Sequence, residues 1–182
     1  YQNGNNHETF NAANAGECFK YRDGALLSSN YKIGTEYKAD LKRVIHNGTV
    51  MLEKEFSIPG SDVQVLKVEP MKKINTYWAV VGKVGSGNQK QGLVMTLDDD
   101  LNIMKSHQFN HPNFNEMAIL DIVESPDQNE ISYYVTGYVQ SSNSTIFSSS
   151  QESFVFKLDH SLNVIWEFWF DSGTGSNDFD FA

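Results

Sequence analysis

His107 and His111 stand four residues apart, the spacing that on a helix sets two imidazoles on one face to hold a metal. Here Asn110 lies between them and Pro112 beside them, and the alternation around them predicts the end of a strand, so the helical spacing loses its meaning. Zinc would also need further ligands, and Cys18 is the one thiol of the chain. The run Asp98-Asp99-Asp100-Leu101-Asn102 places oxygen ligands at alternate positions, as a calcium loop begins. It has Ile103 where such a loop needs glycine, and no acid follows to close the site. A matching run, Asp159-His160-Ser161-Leu162-Asn163, keeps only the first acid, so side-chain-to-backbone bonding in a tight turn is the simpler reading of both.

Hydrolysis asks for paired acids in a cleft, or for a nucleophile with its base and orienting group. Acids are plentiful, yet no motif singles any out. There is no G-x-S-x-G, and Gly85-Ser86-Gly87-Asn88 lies between strands rather than ahead of a helix, where it could cradle phosphate. No catalytic residue, cofactor or metal is therefore assigned. Phe114, Phe147 and Trp169 fall near predicted loops or edges, where an aromatic ring suits a sugar or a protein partner. They are candidate binding or interface residues, with packing between sheets as the competing role.

The elements that would position these residues are strands. The chain has 182 residues, 40% of them hydrophobic, enough for one core and too few for two large domains. Aromatics reach 13%, and Val, Ile, Thr, Tyr and Phe gather in short runs. A net charge of −9 and a pI near 4.9 would repel a phosphate backbone, so nucleic acid is not expected as a partner. No apolar run approaches the roughly 20 residues of a membrane span. Cys18 alone cannot staple the chain internally and reads as a small buried hydrophobe. The sequence opens at Tyr1 without methionine, from which removal of a leading segment is expected. Two sequons, Asn47-Gly48-Thr49 and Asn143-Ser144-Thr145, fall in predicted turns and are candidate glycosylation sites.

Internal repetition sets the architecture. Leu97 to Ile103 aligns without gaps on Leu158 to Val164, and the alternating runs that follow end at Phe109 and Phe170 with the same offset. A fainter copy runs from Val44 to Val50 and ends at Phe56. Matching runs lie upstream of each, with Gly82 and Gly137 in equivalent places and Ser29 in the first copy. Each unit reads strand, turn, strand, loop, strand, tight turn, strand. Strands are expected near 18–21, 25–30, 38–45, 50–56, 63–69, 77–83, 92–97, 103–109, 118–124, 132–138, 153–158 and 164–170. Four antiparallel strands in about 50 residues is the size of a propeller blade. The fold expected is all-β, with consecutive four-stranded antiparallel blades of a β-propeller, about three of them in an incomplete ring. The boundaries are an Asn-rich segment at 1–16, blades at 17–61, 62–115 and 116–176, and at 177–182 the first strand of a further blade. Val164, Trp166, Phe168 and Phe170 share one face of the last strand, with Ile165, Glu167 and Trp169 on the other, and a strand apolar on both faces is expected between neighbouring sheets.

Tyr133 to Tyr138, Ser153 to Asp159, Asn163 to Trp166, then Asp178 and Ala182, resemble the repeat of the secreted seven-bladed β-propeller family. The likeness is looser in Trp78 to Gly82 and Gly92 to Asp98, and in the first copy only Asp23-Gly24 is kept. Leu101 and Leu162 replace the turn glycine of that repeat, which survives as Gly48. The resemblance implies an extracellular or cell-surface setting and a propeller fold, with no enzymatic activity to carry over. His160 to Trp166 echoes the spacing of a sialidase aspartate box but lacks its aspartate and glycine. The function expected is that of a non-catalytic extracellular structural or adhesive protein. It would act through blade surfaces and self-association, as a fibre subunit or a fragment of a larger surface protein, with copies of itself or further blades as partners, and glycans as possible ligands. The alternative is a carbohydrate-binding propeller or the remnant of a glycan-active enzyme, which should show a repeated aromatic and polar site in each unit. The three copies show none.

Overall fold

The computed structural model describes residues 18–21, 24–73, 78–141 and 151–170, with side chains from residue 25 onward. Among these residues the chain is all β, without a helix. The strands are β1 (Cys18–Tyr21), β2 (Gly24–Ile33), β3 (Glu36–Ile45), β4 (Val50–Phe56), β5 (Asp62–Pro70), β6 (Trp78–Ser86), β7 (Gln89–Leu97), β8 (Ile103–Phe109), β9 (Glu116–Glu124), β10 (Ser132–Gln140), β11 (Gln151–Asp159) and β12 (Val164–Phe170).

Each run of four strands is an antiparallel meander: β1-β2-β3-β4, β5-β6-β7-β8 and β9-β10-β11-β12. All twelve expected strands are present. The hairpins β2–β3 and β6–β7 run further towards their turns than the apolar pattern implies, because two-residue turns keep Asn30 to Lys32 and Lys90 to Gln91 in register without apolar side chains. The second and third sheets are not fully separate. A single parallel bridge, Lys90 to Glu116, joins β7 to β9, with the Lys90 amide donating to the Asn115 carbonyl at 2.8 Å. The sheets do not close into a ring among the described residues.

The meanders stack face to face, and each first strand packs across the sheet before it. Val63, Val65 and Val68 of β5 join Leu26, Ala39, Leu41 and Phe56 in one core between the first and second sheets. Met117, Ile119 and Ile122 of β9 join Ala79, Val81, Val94 and Phe109 in the other. Apolar residues at alternate positions on both faces of the middle sheet make this possible.

The repeat extends to bond-level detail. At the tight turns, the amides of Gly48, Leu101 and Leu162 donate to the carbonyls of Ile45, Asp98 and Asp159. Those of Ile45, Asp98 and Asp159 donate to the carbonyls of Thr49, Asn102 and Asn163. Register shifts follow at Arg43/Val44, Thr96/Leu97 and Lys157/Leu158. The turn needs a positive φ, which Gly48 supplies at 85°, Leu101 at 58° and Leu162 at 69°. Leucine in that region is strained by about 1–2 kcal/mol. Both leucines are fully buried, each in one of the two cores, and this burial offsets the strain.

Gly82 and Gly137 mark a second shared device. Both sit at a bulge, between Val65 and Lys67 and between Thr136 and Gly137. A Cβ on either would lie 1.9 Å from the Gln64 carbonyl oxygen or 2.0 Å from that of Ala118. Ser29 holds the equivalent place in β2 and pairs with Asp40 of the following strand, as Gly82 pairs with Leu93 and Gly137 with Phe154.

Candidate association surface

The fourth strands, β4, β8 and β12, are outermost in their sheets. Their equivalent residues make an internal control. Phe56 ends β4 and is 6% exposed; Phe109 ends β8 and is 6% exposed; Phe170 ends β12 and is 42% exposed. The first two are covered by the sheet that follows, which for Phe170 is absent from the described residues. One place earlier on the same face, Lys54 and His107 are half-buried, while Phe168 is 57% exposed. On β11, Val155 stands where Leu41 and Val94 are fully buried, and is only half-buried.

These residues form one surface. Pairing sets Phe168 beside Val155 and Trp166 beside Lys157, with Thr136 and Tyr134 next in the row and Asp121 and Val123 beyond. The rings of Tyr134 and Trp166 lie 5.9 Å apart, and those of Phe168 and Phe170 4.8 Å apart. Lys157 reaches over Tyr134 and pairs with Glu130 at 2.8 Å, which lifts its pKa. A groove of about 270 Å³ runs between Asp121, Val123, Tyr134, Thr136 and Val155.

The opposite end of the stack is chemically different. The outward face of the first sheet carries Lys38 paired with Glu55 at 2.9 Å, Lys42 paired with Glu53 at 2.8 Å, and Asp40 between them. The Tyr31 hydroxyl donates to Glu55 at 2.6 Å. That bond, then Lys38, holds the Glu55 carboxyl down to about 2. Burial pushes the Asp40 carboxyl up. One end is aromatic and the other is ion-paired.

The tight turns settle how their acids are used. One oxygen of Asp98 accepts from the amides of Asp100 at 3.0 Å and Asn102 at 2.8 Å, while the other accepts from the Asn102 side chain at 3.0 Å. Asp159 repeats this with Ser161 and Asn163 at 2.8, 2.8 and 3.0 Å. The Asn side-chain bond, with the backbone donors, holds both carboxyls below the usual range. Their oxygens face protein donors. Among the described residues no group of three or more His, Cys, Asp and Glu side chains is placed to hold a metal. His107 stacks near Phe109 at 4.4 Å, whereas His111 contacts Phe114 at 4.9 Å and Trp169 at 4.7 Å.

Trp169 faces inward, with Phe154 and Phe156 at 5.4 and 5.3 Å, and Phe114 packs beside the same core. The structure thus brings Trp169 and Phe114 together through His111 as partly buried packing groups. Phe147 and Asn143 lie outside the described residues. Asn47 sits in the exposed turn between β3 and β4, its side-chain oxygen accepting from the Thr49 amide at 3.0 Å. Pairing sets Trp166, Phe168 and Phe170 on one face, beside Lys157, Val155 and Ser153, but the register shift at Lys157/Leu158 sets Val164 beside the buried Leu158 and so off the face expected for it; β12 lies at the outer edge of its sheet with the Trp166, Phe168 and Phe170 face exposed. It is not enclosed between sheets, because the described residues place only one sheet against the third. The row of Tyr134, Thr136 and Val155 was not singled out from sequence, although alternation would have put them on the face opposite Phe154 and Phe156.

No family of known proteins matches the chain, and no curated protein matches it. No helix among the described residues is long and apolar enough to cross a membrane.

Proposed function

We propose that the protein is a non-catalytic extracellular structural or adhesive protein, built of consecutive propeller blades and acting by association through its sheet faces. The observation that carries this reading is the contrast between Phe170 and its buried counterparts Phe56 and Phe109. A surface with the composition of a covered face is a surface that something covers. Stacking of meanders on one another, each first strand crossing the sheet before, is the way blades follow each other in a propeller. The ion-paired face of the first sheet is a poor complement to the aromatic face of the third, since covering those pairs with apolar groups would strip their water. Association of copies through their third faces, aromatic against aromatic, is therefore favoured over head-to-tail stacking. The extracellular setting rests on the likeness to secreted propeller repeats and on the two sequons, of which Asn47 is in an exposed turn.

Sedimentation velocity across micromolar concentrations tests the reading. The chain should self-associate, and Phe168→Lys should abolish association while leaving the melting of the folded protein in place. A species that stays monomeric at every concentration, with or without Phe168, overturns it.

A further inference from the structure

The two covered faces grip the sheet that follows with cations, and the third face does not repeat this. Arg43 of the first sheet donates to the Asp99 carbonyl at 3.1 Å, and Lys54 to the Asn102 side chain at 2.7 Å, both in the tight turn of the second sheet. Lys105 of the second sheet donates to the His160 carbonyl at 2.6 Å, in the tight turn of the third. Pairing register gives the equivalents in the third sheet. Lys157 stands where Arg43 does and turns to Glu130 of its own unit at 2.8 Å. Phe168 stands where Lys54 does, and Trp166 where Lys105 does. Neither ring carries the charge that holds an arriving turn, and Phe168 has no donor at all.

The cover suited to this face is therefore apolar and aromatic. Among the described residues two outer faces carry no further sheet, and that of the first sheet is ion-paired through Lys38 and Lys42. The third face alone has the required composition, and a second copy brings it.

The face also has relief. Trp166, Phe168 and Phe170 of β12 are exposed, whereas Val155, Tyr134 and Thr136 of the neighbouring strands are half-buried. An aromatic ridge thus runs beside the groove of about 270 Å³ between Asp121, Tyr134, Thr136 and Val155. Two copies can meet face to face about an axis across the strands or one along them. The first lays ridge on ridge and holds the grooves apart as voids, which forfeits contact. The second carries β12 of each copy over β9 and β10 of the other, so that each ridge enters a groove. Strands about 4.8 Å apart, with about 3.4 Å per residue along them, give a face of about 19 Å by about 23 Å. That is towards the low end for specific association.

We infer that the third face pairs with that of a second copy about a two-fold axis running along the strands, with Phe168 of each copy seated in the groove beside Thr136 and Val155 of the other. The inference rests on the proposed association through this face and supplies its geometry. Such a contact uses the same patch on both copies and closes at two, rather than extending as a fibre.

The test is photo-cross-linking of the full chain. Phe168→benzoylphenylalanine is introduced into an isotopically heavy chain, which is mixed with an excess of unlabelled chain and irradiated. A heavy–light linked dimer is expected, with the new bond on residues 121–123 or 134–136 of the light copy. A bond to β12 of the light copy, or one formed within a single copy, overturns the inference. Thr136→Tyr fills the groove with a residue that suits a strand. It should weaken association by about tenfold or more, as overpacking does, and leave the melting temperature in place. Association that ignores Thr136→Tyr, or that grows beyond two copies, also overturns the inference. These results leave the association reading standing if Phe168→Lys still abolishes self-association, whereas a chain monomeric at every concentration fails that reading and this one with it.

Discussion

Gly137→Ala places a single methyl group where the backbone of the neighbouring strand already is. The added carbon would lie 2.0 Å from the Ala118 carbonyl oxygen, 3.0 Å from its carbonyl carbon and 2.8 Å from the Phe154 ring. Ordinary carbon–oxygen approach is about 3.3 Å or more, so β9 and β10 would have to part by more than an ångström at their bulge. A side chain could rotate away, but a carbonyl in a ladder cannot. Inserting a methylene into a packed core costs about 1–3 kcal/mol, and a clash with fixed backbone belongs at the top of that range, near 3 kcal/mol. For a chain of this size each kcal/mol lowers Tm by about 2–4 °C, so the expected fall is about 6–12 °C, read by far-ultraviolet circular dichroism during heating. Ser29→Ala is the matched control. The equivalent position of the first sheet already carries a Cβ, so its Tm should stay within about 2 °C. A Gly137→Ala protein melting with the parent would refute the claim that the repeat keeps glycine there for want of space.

Leu162 has φ 69° and no exposure, so burial and backbone strain act on it in opposite directions. Leu162→Ala loses the buried side chain and keeps the strain, costing about 2–5 kcal/mol, whereas Leu162→Gly regains about 1 kcal/mol of it; denaturant titration should show glycine as the milder change, the reverse of ordinary strands. Glu55 titrates near 2 in the fold against an ordinary value of 4.5. Between those values the unfolded chain binds more protons, so this group's stabilisation is present above the upper value and is lost as pH falls through the window towards the lower one. Carbon-13 titration should find Glu55 still ionised near pH 3, and Tyr31→Phe should raise its pKa; a normal titration in the parent would contradict the Tyr31 bond.

The sequence made the strands legible because their physics is local. Alternation around Val94, Val135 and Phe156, and offsets that carry Phe56 to Phe109 and Phe170, fix element type and repeat without knowledge of tertiary contacts. The turns were legible for the same reason, since an aspartate bonding two and four residues ahead needs nothing distant. What stayed hidden depends on which sheet lies beside which. Trp169 and Phe114 looked free by sequence position, yet the link between β8 and β9 brings His111 against both. Asp62 and Glu116 acquired meaning only once both were seen at the start of a covering strand. The charged character of the first outward face could not be separated from ordinary surface charge before β3–β4 pairing aligned Lys38 and Lys42 with Glu55 and Glu53.

The two junctions of the stack are fastened differently. Between the second and third sheets, backbone meets backbone at Lys90 and Glu116. Between the first and second, the buried Asn30 side chain offers its amide nitrogen to the Val65 carbonyl at 2.7 Å and its oxygen to the Val65 amide at 2.8 Å, imitating one rung of a ladder. A rung made of peptide groups survives any change of side chain, but one made by Asn30 is lost with a single codon and leaves two buried backbone groups unmet. This rung of the first junction therefore depends on the identity of one side chain, while the core of Val63, Val65 and Val68 against Leu26 and Leu41 and the Tyr37 to Asp62 bond hold the rest. The corresponding rung of the second junction is made by peptide groups and tolerates any side chain there.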